Sequence, residues 1–148
     1  MTNLGTLGGP SAAYGINERG MVVGWSNILA DPSAISDTDH AVMWFEGRII
    51  DLGTLGGAAV AYDINNSGTA VGSSSIYPQN YTPHAVLWKD GALYDLNDLL
   101  VGYHTEWVLE HAFDINEKGE IVGYGLVHQP GLGYQYRAFL LKPAPSNP

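Results

Sequence analysis

The sequence predicts an all-β protein built from three copies of one four-stranded antiparallel unit. Three observations predict it. The hexapeptide Leu-Gly-Thr-Leu-Gly-Gly stands at 4–9 and again at 52–57, 48 residues further on. Gly15-Ile16-Asn17, Asp63-Ile64-Asn65 and Asp114-Ile115-Asn116 recur at intervals of 48 and 51, and Val23-Gly24, Val71-Gly72 and Val122-Gly123 keep both intervals. Composition agrees, since 19 glycines, 8 prolines and 9 tyrosines in 148 residues favour short strands joined by tight turns.

The second copy shows the unit most fully. Extended segments are expected at 60–65, 69–73, 84–88 and 92–96. Asn66-Ser67-Gly68 turns the first hairpin and Asp90-Gly91 the last, each with a glycine able to take positive φ. The oxygen-rich stretch 63–68 is a hairpin and not a calcium loop, because the twelfth position holds Ser74 where an acidic ligand is needed. Helical periodicity is missing except over 105–112, where it is short and ambiguous. His40 to Asp51 and His84 to Asp95 both span 11 residues, so the last hairpin has a fixed length. The connection before His40, His84 and the matching Arg137 varies, as a surface loop does. The third crossing carries a seven-residue insertion around 101–107 and has lost the Gly-Thr-Leu-Gly-Gly pattern.

The chain therefore reads as a single repeat domain over 1–148, with units at about 5–52, 53–96 and 97–142. Residues 143–148 hold too many prolines for a fourth strand. Met1-Thr2-Asn3-Leu4, however, aligns with Ile49-Ile50-Asp51-Leu52, so the N-terminus carries the strand that the third unit lacks. That displacement is how circular arrays of blades close and remove exposed edges. The expectation is three β-propeller blades that close as a six-bladed propeller by homodimerisation, because three blades are too few for a ring. The alternative is a single-chain pseudo-threefold β-trefoil or β-prism, which also uses three four-stranded units.

Hydrophobic residues make up 45% of the chain, which supplies a core. A net charge of −9 argues against nucleic acid or an anionic membrane as partner. No apolar run approaches the ~18 residues of a spanning helix, so membrane insertion is not expected. No cysteine is present, which excludes disulfides, thiolate metal sites and cysteine nucleophiles. The N-terminal residues lack the basic and apolar segments of a signal peptide.

The run Asp-Leu-Gly-Thr-Leu-Gly-Gly, then Ala-Tyr-Asp-Ile-Asn-Asn-Ser-Gly-Thr-Ala-Val-Gly-Ser-Ser, then His-Ala-Val-Leu-Trp, within 51–88, resembles the bacterial HAF repeat. The resemblance covers essentially the whole chain. The third unit departs from it at Arg137, at Leu141 and over 97–107. It implies an extracellular or cell-envelope repeat protein and carries over no catalytic residues.

Three sets of side chains could carry chemistry. His40, Trp44 and Asp51, and their equivalents His84, Trp88 and Asp95, recur with the repeat. They read as a buried structural network, with Asp63 and Asp95 both candidate partners of His84. Metal ligation is the minor alternative for the histidines. The densest titratable cluster, His104, Glu106, Glu110, His111 and Asp114, lies at the non-repeating crossing. Strict alternation would put His104, Glu106, Glu110 and Asp114 on one face and His111 on the other. These five are weak catalytic candidates. The variable connections are aromatic: Trp25 in the first, Tyr77 and Tyr81 in the second, and Tyr124, His128, Tyr134 and Tyr136 in the third. Aromatic faces suit sugar CH surfaces or an extended partner chain, and equally suit blade edges or an oligomer interface.

The expected function is a non-catalytic binding or structural module whose ligand is a glycan, peptide or protein, working as a homodimer without a cofactor. The alternative is a glycosidase- or lactonase-like hydrolase with a site at the channel mouth, using the 104–114 cluster and in that case a divalent metal. The glycine-rich heptapeptide is a strand crossing and not a phosphate cradle, having neither a following helix nor a lysine.

Overall fold

The computed structural model describes residues 1–28, 39–76, 82–102 and 106–144. The protein is all-β, with three antiparallel sheets and no helix among the described residues. The first sheet holds β1 (Ser11–Ile16), β2 (Val22–Asn27), β3 (Asp39–Phe45) and β4 (Arg48–Gly53) in that order. The second repeats it with β5 (Gly56–Ile64), β6 (Ala70–Ile76), β7 (Pro83–Lys89) and β8 (Ala92–Asp95). The third has, among the described residues, β9 (Trp107–Ile115), β10 (Ile121–Gln129) and β11 (Gly133–Leu141). Of the ambiguous 105–112 stretch, residue 105 lies outside the described residues and 107–112 form the start of β9, a strand. No described helix is long and apolar enough to cross a membrane.

Local chemistry explains the meander. The last hairpins turn on Glu46-Gly47 and Asp90-Gly91, where both residues have positive φ (51° and 74°, 52° and 77°). This is the turn whose twist matches flanking strands. The Asn of each Ile-Asn pair organises the first hairpin. Asn65 Oδ1 accepts from the Thr69 amide and the Ser67 hydroxyl, and Asn17 and Asn116 accept from matching amides.

Every first strand carries a β-bulge at one aromatic residue: Tyr14, Tyr62 and Phe113 are each skipped in the pairing with the second strand. The opposing Val-Gly glycine lies against the bulge. A Cβ on Gly24, Gly72 or Gly123 would come within 1.9 Å of the Ala12, Val60 or His111 carbonyl oxygen. The bulge explains why these glycines recur.

The sheets stack side by side. The first strands β1, β5 and β9 contact one another in turn, whereas β4 and β8 barely touch, so the sheets fan outward. At the first junction Met21, Val23 and Ala41 meet Ala59, Ala61 and Ile64. At the second, Val71 and Ala85 meet Leu109, Ala112 and Ile115.

Polar bonds repeat with the sheets. Trp44 Nε1 donates to the Gly5 carbonyl (3.2 Å) and Trp88 Nε1 to that of Gly53 (3.3 Å). The Leu7 and Leu55 amides donate to Ser26 Oγ and Ser74 Oγ, both at 2.8 Å. Asn17 Nδ2 donates to the Asn65 carbonyl and Asn65 Nδ2 to that of Asn116, tying each sheet to the next.

Residues 1–4 form no strand in this chain; Met1 and Leu4 are exposed, and Gly5 is anchored on the first sheet by Trp44.

Candidate functional site

The His–Asp pairs join β3 to β4 and β7 to β8. His40 Nδ1 lies 2.7 Å from Asp51 Oδ2, and His84 Nδ1 lies 2.6 Å from Asp95 Oδ2. The second carboxylate oxygen fixes the next crossing, accepting from the Gly53 amide in one case and from Asn97 in the other. Burial raises the Asp95 carboxyl, but hydrogen bonds from His84 and Asn97 outweigh it and hold the group below the usual range. Of the two candidate partners of His84, Asp95 is the one in contact. Asp63 Oδ2 accepts instead from the Ile115 amide (3.0 Å) of the next sheet.

The 104–114 cluster disperses. His104 lies outside the described residues, and Glu106 precedes β9 with its side chain exposed. The expectation that Glu106, Glu110 and Asp114 share one face opposite His111 is corrected, because β9 carries a second bulge, at Glu110, in addition to that at Phe113. Each bulge adds a residue and resets the alternation.

Glu110 takes the junction position that Ala59 fills one unit earlier and is buried. Burial raises its carboxyl, with the His84 charge pulling the other way. Burial also lowers the His111 imidazole, whose Nδ1 is enclosed without a hydrogen-bond partner among the described residues. Asp114 is exposed and hydrogen-bonded to Asp63, which is the main reason its carboxyl is raised. No group of three His, Asp or Glu among the described residues is placed to hold a metal ion.

The aromatic candidates divide as well. Tyr77 and Tyr81 lie outside the described residues. Trp25, Tyr124, His128, Tyr134 and Tyr136 stand on strands and not in loops, because β2 runs on to Asn27 and the β10–β11 hairpin to Gly133. His128 and Tyr134 pair edge-on near the tip of that hairpin, with centroids 5.2 Å apart.

Trp25, Tyr124 and Tyr136 belong to a continuous row with residues that sequence reasoning missed. Tyr14 and Tyr62 have ring centroids 5.9 Å apart, and Tyr62 and Phe113 5.2 Å. His111 stacks near Phe113 at 5.8 Å and lies 5.0 Å from Tyr124, which meets Tyr136 at 5.6 Å. Trp25 Nε1 donates to the Tyr14 hydroxyl (3.2 Å). Burial raises the Tyr124 phenol, helped by the Glu110 charge. Tyr14, Phe113 and Tyr136 leave large ring areas in solvent. The row crosses all three sheets along their first strands and runs on over β10 and β11. Its signal in the sequence is the aromatic residue two places before each Ile-Asn isoleucine.

Compared with known proteins, the chain matches no protein-family model, no curated protein and no solved structure.

Proposed function

We propose that this chain is a non-catalytic binding module of an exported bacterial protein, half of a six-bladed β-propeller, and that its ligand is a glycan lying along the aromatic row. Export is read from the resemblance to HAF repeats. The fanned sheets, with their first strands innermost, support the propeller. A ring would place the row around its central channel, where ligands commonly bind. The carrying observation is the row itself: exposed rings on the first and third sheets joined by half-buried Tyr62 on the second, with Tyr14, Tyr62 and Phe113 each placed by a bulge, whereas the His–Asp pairs are spent on the scaffold. Sugar CH faces stack on such rings, and Asp63 and Asp114 stand next to them to accept from hydroxyls.

A glycan array followed by calorimetry with the best oligosaccharide tests the proposal. Tyr62→Ala with Phe113→Ala should weaken binding about tenfold or more, since each ring contact contributes roughly 0.5–1.5 kcal/mol. Unchanged affinity would sink it, as would a blank array alongside binding of a peptide library.

One observation favours the hydrolase reading: Asp114 is hydrogen-bonded to Asp63, which raises the Asp114 carboxyl as a neighbouring carboxylate does in an acid–base pair. Their hydrogen-bonded approach is tighter than the ~5 Å or more that glycosidase carboxyls keep, so a lactone or another ester suits this pair better. Turnover that Asp114→Asn abolishes would establish it.

A further inference from the structure

We infer that the open face of the third sheet binds a second copy of this chain, which lays its residues 1–4 beside β11 as the missing fourth strand. The inference rests on the ring reading above and supplies its contacts. Equivalent positions carry the argument. Ile64 and Ile115 close the two internal junctions at 4% and 5% exposure, yet the matching Ile16, against which no described sheet packs, is 68% exposed. Val23 and Val71, their partners across those junctions, are both at 0%, while the matching Val122, against which no described sheet packs, is at 44%. The same holds for Ala13 against buried Ala61 and Ala112, and for Ala138 against buried Ala41 and Ala85. The front of the first sheet and the back of the third are therefore the two halves of one junction that the chain already makes twice. Setting Val122 over Ile16 of a second copy continues the established interface, and two copies satisfy both open faces.

The strand register follows from the same repetition. Ile49, Ile50 and Asp51 lie opposite Trp44, Met43 and Val42. Met1, Thr2 and Asn3 of a second copy then lie opposite Leu141, Leu140 and Phe139. Asn3 already holds the required turn, accepting from the Gly5 amide at 2.9 Å as Asp51 accepts from that of Gly53. A cavity of about 790 Å³ lies where this strand would come, lined in part by Leu87, Leu96, Trp107, Phe139 and Leu141. One junction earlier, the matching place is closed by Trp88 and by Leu93 of the fourth strand. Met1 is the counterpart of Leu93, and methionine fills irregular apolar gaps. Polar groups fit too. Asn116 Nδ2, now turned to Glu120, takes the place from which Asn65 reaches the next sheet. Asp114 holds the position from which Asp63 accepts the Ile115 amide, and would accept that of Ile16.

The chain has no cysteine, so a designed disulfide reads the register cleanly. Directly opposed antiparallel residues lie within disulfide reach. Oxidised T2C/L140C should run as a covalent dimer, and L4C/L140C, two residues out of register, should cross-link far less. Ile16→Asp and Val122→Asp, at exposed positions that need not perturb the single chain, should each raise the dimer dissociation constant about 30-fold or more with an unchanged circular dichroism spectrum.

A monomer mass for the parent protein in solution overturns both this inference and the ring. A T2C/L140C disulfide within one chain overturns the second copy as occupant. A dimer that resists both charge substitutions and does not cross-link overturns this interface alone. Loss of glycan binding in the ring variants with the dimer intact touches only the ligand reading.

Discussion

The two internal junctions are built from the same repeat and closed to different degrees. Between the first and second sheets the small Ala59 sits on the β2–β3 face, and Trp88 and Leu93 seal the outer end. Between the second and third, Glu110 replaces the alanine, Leu141 replaces the tryptophan and no fourth strand is present among the described residues, which leaves the cavity. The difference teaches that the fourth strand is an interface element as much as a sheet edge. Where it is missing, the two first strands still pack, but a cavity stays open at the outer end.

The strongest way to break this comparison is to cut the seal. Trp88→Ala should cost about 3–5 kcal/mol, against about 2–3 kcal/mol for Leu141→Ala at the looser junction, both read by urea unfolding. Equal losses would show that the two junctions are equally tight.

The His–Asp pairs sharpen it at the next level. The Asp95 side chain is 12% exposed and that of Asp51 42%, so His84→Ala should cost about 1–3 kcal/mol and His40→Ala under about 1 kcal/mol. Because the folded carboxyl of Asp95 lies below its unfolded value, its stabilisation is fully present above about pH 4 and is lost as pH falls through the folded pKa. His84→Ala should flatten that acid limb of the melting profile, whereas His40→Ala should leave it nearly intact.

The smallest effect concerns Asp63 and Asp114, which meet only at the second junction because Gly15 holds the equivalent place in the first unit. The Asp114 carboxyl is raised, so this group contributes stability that is fully present below the unfolded carboxylate pKa and is lost as pH rises through the folded one. Asp114→Asn should therefore raise the melting temperature at pH 7 by about 1–2 °C, a gain that vanishes near pH 3. A gain that persists in acid would show that the two carboxyls do not repel.

Much of the scaffold was legible because its causes are local. The constant 11-residue spacing from His to Asp is the length of one hairpin, and Asp90-Gly91 is a two-residue turn that names its own geometry. The crossing at 51–57 was recognisable, although only residues 54 and 55 lie between the strands. The candidate site was legible only in fragments. Tyr124 and Tyr136 read from sequence as loop residues, while Tyr14, Tyr62 and Phe113 carry no local signal that separates them from other strand residues. A period of two hides bulges, because one extra residue turns every later side chain to the opposite face.

By itself the sequence determined the three units, their turns and the repeating Asn, Val-Gly and His–Asp positions. These depend on backbone conformation and short-range hydrogen bonds that a few neighbouring residues dictate. Tertiary structure alone decided where Glu110 and His111 point, that Asp63 serves the next sheet and Asp95 serves His84, and that aromatic rings from three sheets form one row. These depend on how bulged strands lie against residues about 50 positions away, a distance over which pattern carries no geometry.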